Sequence, residues 1–309
     1  MIPHGVVPPA ISRLRMLRCV VAVVLGSITS TSVAAQQQSS APACRPEGPV
    51  VTIPGLQEAS GIAVSRRVPG RLWTHNDSGQ PVLFALDVKG RVTGQLRLSG
   101  AAIRDWEAIA VGPCPTGSCI YVGDIGDNGA RRKFITIYRV PEPAGAEASV
   151  AASDVFHATY PDGAHDAETL LITPAGDLLI VTKGDTGAVA LYRFPPELRS
   201  GATHQLERVG TPRAPGKVGE RERVTDGAVS ADGRWVVLRT TKKLTFHETA
   251  ELLNGNWREA RSVDLTAVGE TQGEGVAIDA DGTIYLAGEG GGKSRPGTFA
   301  HFNCMPGPS

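Results

Sequence analysis

Acidic side chains stand just before several short apolar runs of the chain, and their spacing is the pattern most able to support chemistry. Asp105-Trp106-Glu107 precedes the run Ala108–Val111, and Asp166-Ala167-Glu168 precedes Thr169–Ile172. Grouped carboxylates can bind a hard cation such as Ca²⁺, or can exchange protons with a substrate. Two of the candidate ligands, Asp124 and Asn128, come from an oxygen-rich loop. The full set of candidate ligands is Glu58, Asp105, Glu107, Asp124, Asn128, Asp166, Glu168, Asp226 and Glu274.

A second candidate is the cluster His75-Asn76-Asp77, which places a histidine beside an amide and a carboxylate. Histidine is a common general base near neutral pH. We therefore name His75 and Asp77 as candidate catalytic residues. The alternative is a turn in which Asn76, Asp77, Ser78 and Gly79 cap the backbone and His75 has no chemical role.

The acidic residues belong to a repeat, which indicates the elements that position them. Five segments share one pattern, namely a polar or acidic start, a short apolar strand, a turn and a second apolar strand. Turns such as Ala231-Asp232-Gly233 supply the glycine that short hairpins need. The first strands of the five copies lie in Glu58–Val64, Asp105–Val111, Asp166–Ile172, Thr225–Ser230 and Gln272–Ile278.

Repeats of this kind predict an all-β protein, a β-propeller of five four-stranded blades, with six blades as the alternative. The fifth copy reaches the C-terminus without its fourth strand, and Val50–Ile53 precedes the first copy. We expect this N-terminal strand to complete the last blade and close the ring. A short helical turn is predicted over residues 250–254, and no segment shows a sustained helical period.

In a propeller the first strand of each blade lines the central channel, so the acidic positions should converge at one channel mouth. Loops carrying Lys183, Asp185 and Glu289 would reach the same face. Carboxylates brought together repel one another and raise each other's pKa, and either a cation or basic side chains can relieve this. Oxygen ligands predict Ca²⁺, since zinc prefers His or Cys. The alternative is that the acids cap amides or pair with basic neighbours.

The first 35 residues have the composition of an export signal. They contain a basic region with Arg13, Arg15 and Arg18, an apolar stretch over Cys19–Gly26 that is too short to span a bilayer, and the small-residue site Val33-Ala34-Ala35. We predict cleavage after Ala35 and export to the periplasm or the exterior, with an uncleaved anchor as the alternative. Residues 36–49 are predicted to be a flexible leader, and residues 50–309 the propeller domain.

Charge and hydropathy limit the partners. The three basic residues of the signal are not balanced by any acid, so the mature chain has a net charge of about −3, and no later stretch is apolar and long enough to span a membrane. We therefore expect no nucleic-acid partner and no membrane span. The predicted partner is a small-molecule substrate or a protein ligand on the acidic face of a monomer.

Four cysteines remain after the signal, and exported chains with an even number usually pair them. Cys114 and Cys119 flank a tight loop between two strand-like runs, and Cys44 and Cys304 lie near the two ends of the mature chain. We predict disulfides Cys114–Cys119 and Cys44–Cys304. Zinc is the alternative, although this spacing is not typical of a zinc site.

The motifs Asp105–Ala110, Gly123–Asn128 and Ile137–Pro143 resemble exported bacterial β-propeller proteins of unassigned activity, over roughly residues 50–304. The chain more distantly resembles calcium-dependent propeller hydrolases of the gluconolactonase/paraoxonase, phytase and apyrase types. That resemblance implies Ca²⁺ near the channel and a metal-dependent hydrolase of lactones, esters or phosphoesters. The competing hypothesis is a non-catalytic propeller that binds a ligand or protein.

Overall fold

The computed structural model describes residues 45–145, 148–152, 154–212, 216–292 and 294–303. The predicted signal, most of the predicted leader and the predicted Cys44–Cys304 bond lie outside these residues. In chain order the strands are β1 (Arg45–Pro46), β2 (Val51–Ile53), β3 (Ala59–Val64), β4 (Arg71–Asn76), β5 (Val82–Asp87), β6 (Val92–Ser99), β7 (Trp106–Cys114), β8 (Gly117–Asp124), β9 (Ile135–Pro141), β10 (Ala148–Ala151), β11 (Asp154–Thr159), β12 (Ala167–Ile172), β13 (Leu178–Thr182), β14 (Leu191–Arg193), β15 (Thr203–Gln205), β16 (Glu207–Gly210), β17 (Val224–Val229), β18 (Trp235–Thr240), β19 (Lys243–Glu248), β20 (Arg261–Asp264), β21 (Gln272–Ile278), β22 (Thr283–Glu289) and β23 (Gly297–Asn303).

Helical structure is sparse in the described residues. One short helix, α1, spans Thr249–Leu253, where the sequence predicted a helical turn. Two single turns of 3₁₀ helix lie at Glu220–Glu222 and Thr266–Val268. None of these helices has the length and apolar character that a membrane crossing needs.

The strands form five antiparallel blades in a ring, as the sequence predicted. The blades are β3–β6, then β7, β8, β9 and β11, then β12, β13, β14 and β16, then β17–β20, and finally β21–β23. The first strands β3, β7, β12, β17 and β21 contact one another in this cyclic order, and β21 contacts β3. We number the blades 1 to 5 in this order.

The ring is closed by the N-terminal segment. β2 pairs antiparallel with β23, with Val51 opposite Phe299 and Ile53 opposite Gly297. This completes blade 5 and confirms the predicted closure. The pairing also extends to β1, which lies opposite Phe302 and Asn303, so residues before position 50 contribute to the same blade.

Two blades carry an additional edge strand that the sequence analysis did not identify. β10 pairs parallel with β6 of blade 1, and β15 pairs parallel with β11 of blade 2. β10 lies in the Gly- and Pro-containing connection after β9. The edge strand of each of these blades is therefore covered by a segment from farther along the chain.

Apolar side chains fill the junctions between neighbouring blades. Trp73 of blade 1 and Trp106 of blade 2 are fully buried in one such junction, and Phe156 and Tyr192 in the next. Each of the other three junctions has a comparable apolar cluster. Removing apolar surface from water stabilises a fold by about 25 cal/mol per Å². The apolar clusters therefore hold each blade against its two neighbours.

The hairpin between β7 and β8 is cross-linked as predicted. Cys114 and Cys119 form a disulfide with a Cα–Cα distance of 5.8 Å. The two cysteines close the loop at Gly117, which has a φ of 108°. The bond therefore fixes the end of this hairpin.

Candidate functional site

A β-bulge occurs at the same place in the first strand of every blade. The register between the first and second strands shifts at Ala59/Ile62, Trp106/Ala108, Ala167/Thr169, Val224/Asp226 and Gly273/Gly275. A bulge inserts an extra residue and redirects its side chain. The inserted positions carry Ser60, Glu107, Glu168, Thr225 and Glu274.

Glu107, Glu168 and Glu274, which we call the bulge glutamates, are all buried. Ser60 Oγ donates a hydrogen bond to Glu107 Oε2 at 2.9 Å, and Gln272 Nε2 donates one to Glu274 Oε1 at 2.7 Å. Burial raises the pKa of each bulge glutamate. Repulsion raises it further, from Glu168 on Glu107 and from Glu274 on Glu168. The structure thus brings together acids from three blades that are separate in sequence.

Lys183, in the loop after β13, is the cation shared by these acids. Its Nζ contacts Glu168 Oε1 and lies 3.8 Å from Asp166 Oδ2. Burial by itself would lower the pKa of Lys183, but attraction to Glu168, Asp166 and Glu107 holds it above the usual value. From the sequence we expected Lys183 on this face but gave it no role. The feature that could have indicated its role is its position beside Asp185 in a loop that reaches the acidic face.

Asp166 lies at the edge of this group. The backbone amide of Asp127 donates to Asp166 Oδ1 at 2.5 Å, whereas the buried Oδ2 accepts no hydrogen bond. Burial raises the pKa of Asp166 to about 6, and repulsion from Asp185 and Asp105 acts in the same direction. Burial also raises the pKa of Asp105. Asp166 therefore has a raised pKa and one oxygen that accepts no hydrogen bond and lies near the Lys183 ammonium.

Asp124 and Asn128, both predicted as ligands, have different surroundings. Asp124 Oδ1 accepts a hydrogen bond from Arg132 Nη1 at 2.7 Å and another from the Asp105 amide at 3.1 Å. This buried ion pair matches the alternative interpretation, in which an acid pairs with a basic neighbour. Asn128 is exposed, and its Nδ2 lies 3.5 Å from Asp105 Oδ2.

Asp226 lies one residue beyond the bulge of blade 4, where Thr225 occupies the inserted position. It is fully buried, and its Oδ2 accepts a hydrogen bond from the Val276 amide of blade 5 at 2.8 Å. Burial raises its pKa well above the usual value. Asp226 therefore connects two blades by a hydrogen bond to the backbone.

A second acidic group, which we call the rim acids, comprises Glu58, Asp77 and Glu289. Asp77 and Glu58 share a side-chain hydrogen bond, and Ser78 Oγ donates to Glu58 Oε2 at 2.5 Å. Burial and repulsion from Glu58 and Glu289 raise the pKa of Asp77 to about 7. Burial and repulsion from Glu274 and Glu58 raise the pKa of Glu289 to about 7. The Glu274–Glu289 interaction joins the rim acids to the bulge glutamates.

His75, by contrast, is fully buried between blades 1 and 2. Its ring packs edge-on against Trp106 with centroids 5.9 Å apart, and Nδ1 lies 3.0 Å from the Asn76 carbonyl oxygen. Burial lowers the pKa of His75 to about 4, so the ring is neutral at pH 7. The structure therefore places Asp77, but not His75, among the acids of the channel mouth.

Comparison with known proteins gives similarities at the level of fold. No family model and no curated protein sequence matches the chain. The PQQ-bound aldose sugar dehydrogenase from Streptomyces coelicolor is 13% identical with a TM-score of 0.45, over 84% of this chain and 98% of that one. A gluconolactonase from Xanthomonas campestris is 15% identical with a TM-score of 0.42, over 79% and 71% of the two chains. These values are too low to inform on activity.

Proposed function

We propose that this propeller is a hydrolase whose active site is the acidic channel mouth, with lactones, esters or phosphoesters as substrates and Ca²⁺ as cofactor. One observation carries the proposal, namely that burial and repulsion between neighbouring acids raise the pKa of the bulge glutamates, Asp77 and Glu289, while Lys183 is the lysine that, within the described residues, offsets the charge of the bulge glutamates. Arg132 and Arg239, the other cations near these acids among the described residues, are paired with Asp124 and Glu270. Repulsion of this kind is costly unless the site binds something positive or exchanges protons.

Asp77 is the residue that would transfer protons. A general acid or base works best when its pKa is close to the working pH, and the pKa of Asp77 is raised to about 7. Its hydrogen bond to Glu58 allows the two carboxyls to share one proton. Asp77 would remove a proton from the attacking water and return it to the leaving group.

The carboxylate oxygens at the channel mouth are suitable ligands for Ca²⁺. Buried oxygens without a hydrogen bond include Asp77 Oδ1, Asp166 Oδ2 and Asp185 Oδ1. Within the described residues, no group of three or more His, Cys, Asp or Glu side chains is arranged to hold a metal ion as it stands. Binding therefore requires movement of the acids, and the bulge glutamates together with Asp166 would hold the ion.

A cation bound there would polarise the carbonyl or phosphoryl oxygen of the substrate. The protein's own residues would set the remaining conditions. The bulges fix the glutamates at the channel, Ser60 and Gln272 orient two of them, and Lys183 offsets the negative charge when the cation is absent.

The proposal is tested by screening lactones, aryl esters and phosphoesters with the mature protein in Ca²⁺ and after chelation. We expect chelation to abolish hydrolysis, and Asp77→Asn to lower kcat by about 100-fold or more. Asp87→Asn, at the other end of blade 1, is the matched control and should retain activity. Hydrolysis that survives chelation, or that is unchanged in Asp77→Asn, would contradict these assignments.

A non-catalytic binding function is the second candidate, favoured by the contact between the Lys183 ammonium and Glu168. A site that accommodates one ammonium group in a ring of carboxylates also suits an amine or a basic peptide. Saturable binding of a lysine-rich peptide that Ca²⁺ displaces, with no hydrolysis in the screen, would favour this function over the hydrolase.

We also propose that the chain is exported and acts as a monomer. Support comes from the signal-like segment and from the Cys114–Cys119 disulfide, which is typical of oxidising compartments. The mass of the mature protein should correspond to a chain that begins at Gln36, and light scattering should give the monomer mass.

A further inference from the structure

The channel has a cavity at the end opposite the acidic mouth. A cavity of about 370 Å³ lies between the C-terminal halves of the first strands. All five blades line it with apolar side chains such as Ile62, Val111, Leu171, Ala228 and Ile278. None of the rim acids or bulge glutamates lines it, so this cavity is separate from the site proposed above.

The size and lining of the cavity fit a small organic ligand. Pockets that bind small molecules measure about 300–1,000 Å³, are mostly apolar and have a few polar groups that orient the ligand. Here the charged lining residues are Arg66 and Asp279, which follow the first strands of blades 1 and 5. A ligand would therefore place its apolar part between the strands and its polar end at these two residues.

Arg66 is the group available to a ligand. Its side chain is exposed, and no hydrogen bond or ion pair within the described residues engages its guanidinium. Glu142, the carboxylate that attracts Arg66, already accepts hydrogen bonds from Ser65, Trp73 and Ser118.

Asp279 is less available than Arg66. Its Oδ1 accepts a hydrogen bond from the Ala280 amide at 2.6 Å, within its own turn. The cavity therefore offers the guanidinium of Arg66, which Glu142 attracts without a hydrogen bond, beside an apolar interior.

We propose that this cavity binds an amphiphilic carboxylate, with its hydrocarbon chain between the blades and its carboxylate at Arg66. Guanidinium groups bind carboxylates through charge-assisted hydrogen bonds. The hydrocarbon chain is held by removal of apolar surface from water. A medium-chain fatty acid is the simplest ligand of this class.

The first test measures the affinity of the mature protein for hexanoate, octanoate and decanoate by calorimetry. Each added methylene should strengthen binding by about fourfold until the cavity is full. Affinities that do not depend on chain length would overturn the proposal, and this measurement requires no variant.

The second test changes the two charges at the cavity mouth. Arg66→Gln should weaken decanoate binding by about three- to tenfold, and Asp279→Asn should strengthen it, while neither variant should change the affinity for decanol. Arg104→Gln, which alters an exposed arginine before the first strand of blade 2, is the control. Equal effects of Arg66→Gln and Arg104→Gln would refute the role of Arg66.

Filling the cavity separates binding inside it from binding on the surface. Ala228→Phe should abolish binding of decanoate and decanol alike, with thermal melting used to verify the fold. If this variant does not fold, the methylene series and the paired charge variants still decide the question. Unchanged decanoate binding by folded Ala228→Phe would overturn the proposal.

Discussion

Lys183 Nζ contacts the buried carboxylate of Glu168 and lies 3.8 Å from Asp166 Oδ2, which makes this lysine the counter-ion at the centre of the acidic channel mouth. Its positive charge offsets part of the repulsion among the three buried bulge glutamates. It also means that Ca²⁺ and the Lys183 ammonium would compete for the same carboxylates.

Removal of this lysine should destabilise the fold and strengthen cation binding. Lys183→Met leaves buried carboxylates without their partner, so we expect a loss of about 3 kcal/mol in the free energy of unfolding at pH 7.5. The same variant should bind Ca²⁺ more tightly than the wild type, because a competing cation is gone. Urea denaturation with and without Ca²⁺ measures both effects.

Lys243→Met provides the control for this prediction. Lys243 pairs with Glu259 at the surface, where both side chains are more than 40% exposed. Its loss should cost less than about 1 kcal/mol. If Lys183→Met cost no more than Lys243→Met, the Lys183–Glu168 contact would have no structural importance.

The acidity of the rim predicts a pH dependence of stability. The folded protein raises the pKa of Asp77 and Glu289 to about 7, above their unfolded values near 4. Between pH 4 and pH 7 the native state therefore binds more protons than the unfolded chain, and these two groups contribute less stability as pH rises. Asp77→Asn should have little effect on stability at pH 4.5 and should become stabilising, relative to wild type, by pH 7.5.

Asp87 should give the opposite pH dependence of stability, and it serves as the comparison for Asp77. Burial would raise the pKa of Asp87, but hydrogen bonds from Arg91 and Lys89 hold it below the usual value. Its contribution is therefore present above pH 4 and disappears in acid. Asp87→Asn should be destabilising at pH 7.5 and neutral near pH 3. Parallel pH profiles for the two variants would rule out the raised pKa of Asp77.

Asp226 should behave as a structural residue rather than a metal ligand. Asp226→Asn keeps an oxygen for the Val276 amide, whereas Asp226→Ala leaves that buried amide unpaired at a cost of about 1–3 kcal/mol. We expect the Asn variant to remain close to wild type in stability and in Ca²⁺ affinity, both measured calorimetrically. Loss of Ca²⁺ binding in Asp226→Asn would restore this residue to the ligand set.

The Cys114–Cys119 bond should contribute to stability alone. A disulfide that closes so short a loop stabilises by about 2 kcal/mol through the entropy of the unfolded chain. The Cys114→Ser/Cys119→Ser variant should lose about that amount in denaturant titrations and retain any hydrolytic activity. A loss of activity without a loss of stability would contradict this interpretation.

The features that could be predicted from sequence are those set by local patterns. Short apolar runs and glycine-containing turns indicated the strands of each blade, and the missing fourth strand of the last blade indicated closure by Val50–Ile53, of which Val51–Ile53 forms the strand. The disulfide followed from two cysteines at the ends of one hairpin. Each of these depends on residues that are close in sequence or on a simple count of strands.

The features that could not be predicted depend on packing between blades. The bulge register places Thr225 rather than Asp226 at the position of Glu107, and one residue of register reverses the direction of a side chain. His75 was predicted as a candidate base because it stands beside Asn76 and Asp77, but it is fully buried and packs against Trp106 of the next blade. Strand β10 was missed because it pairs in parallel with β6, from which three other strands rather than a single hairpin turn separate it in the chain.

The most direct test of the account is a calorimetric titration of the mature protein with Ca²⁺ at pH 7.5. We predict saturable binding by the wild type and by Asp87→Asn, and its loss in a folded Glu107→Gln/Glu168→Gln variant. Absence of saturable binding in the wild type, or unchanged binding in the double variant, would contradict the proposal that the bulge glutamates form a cation site.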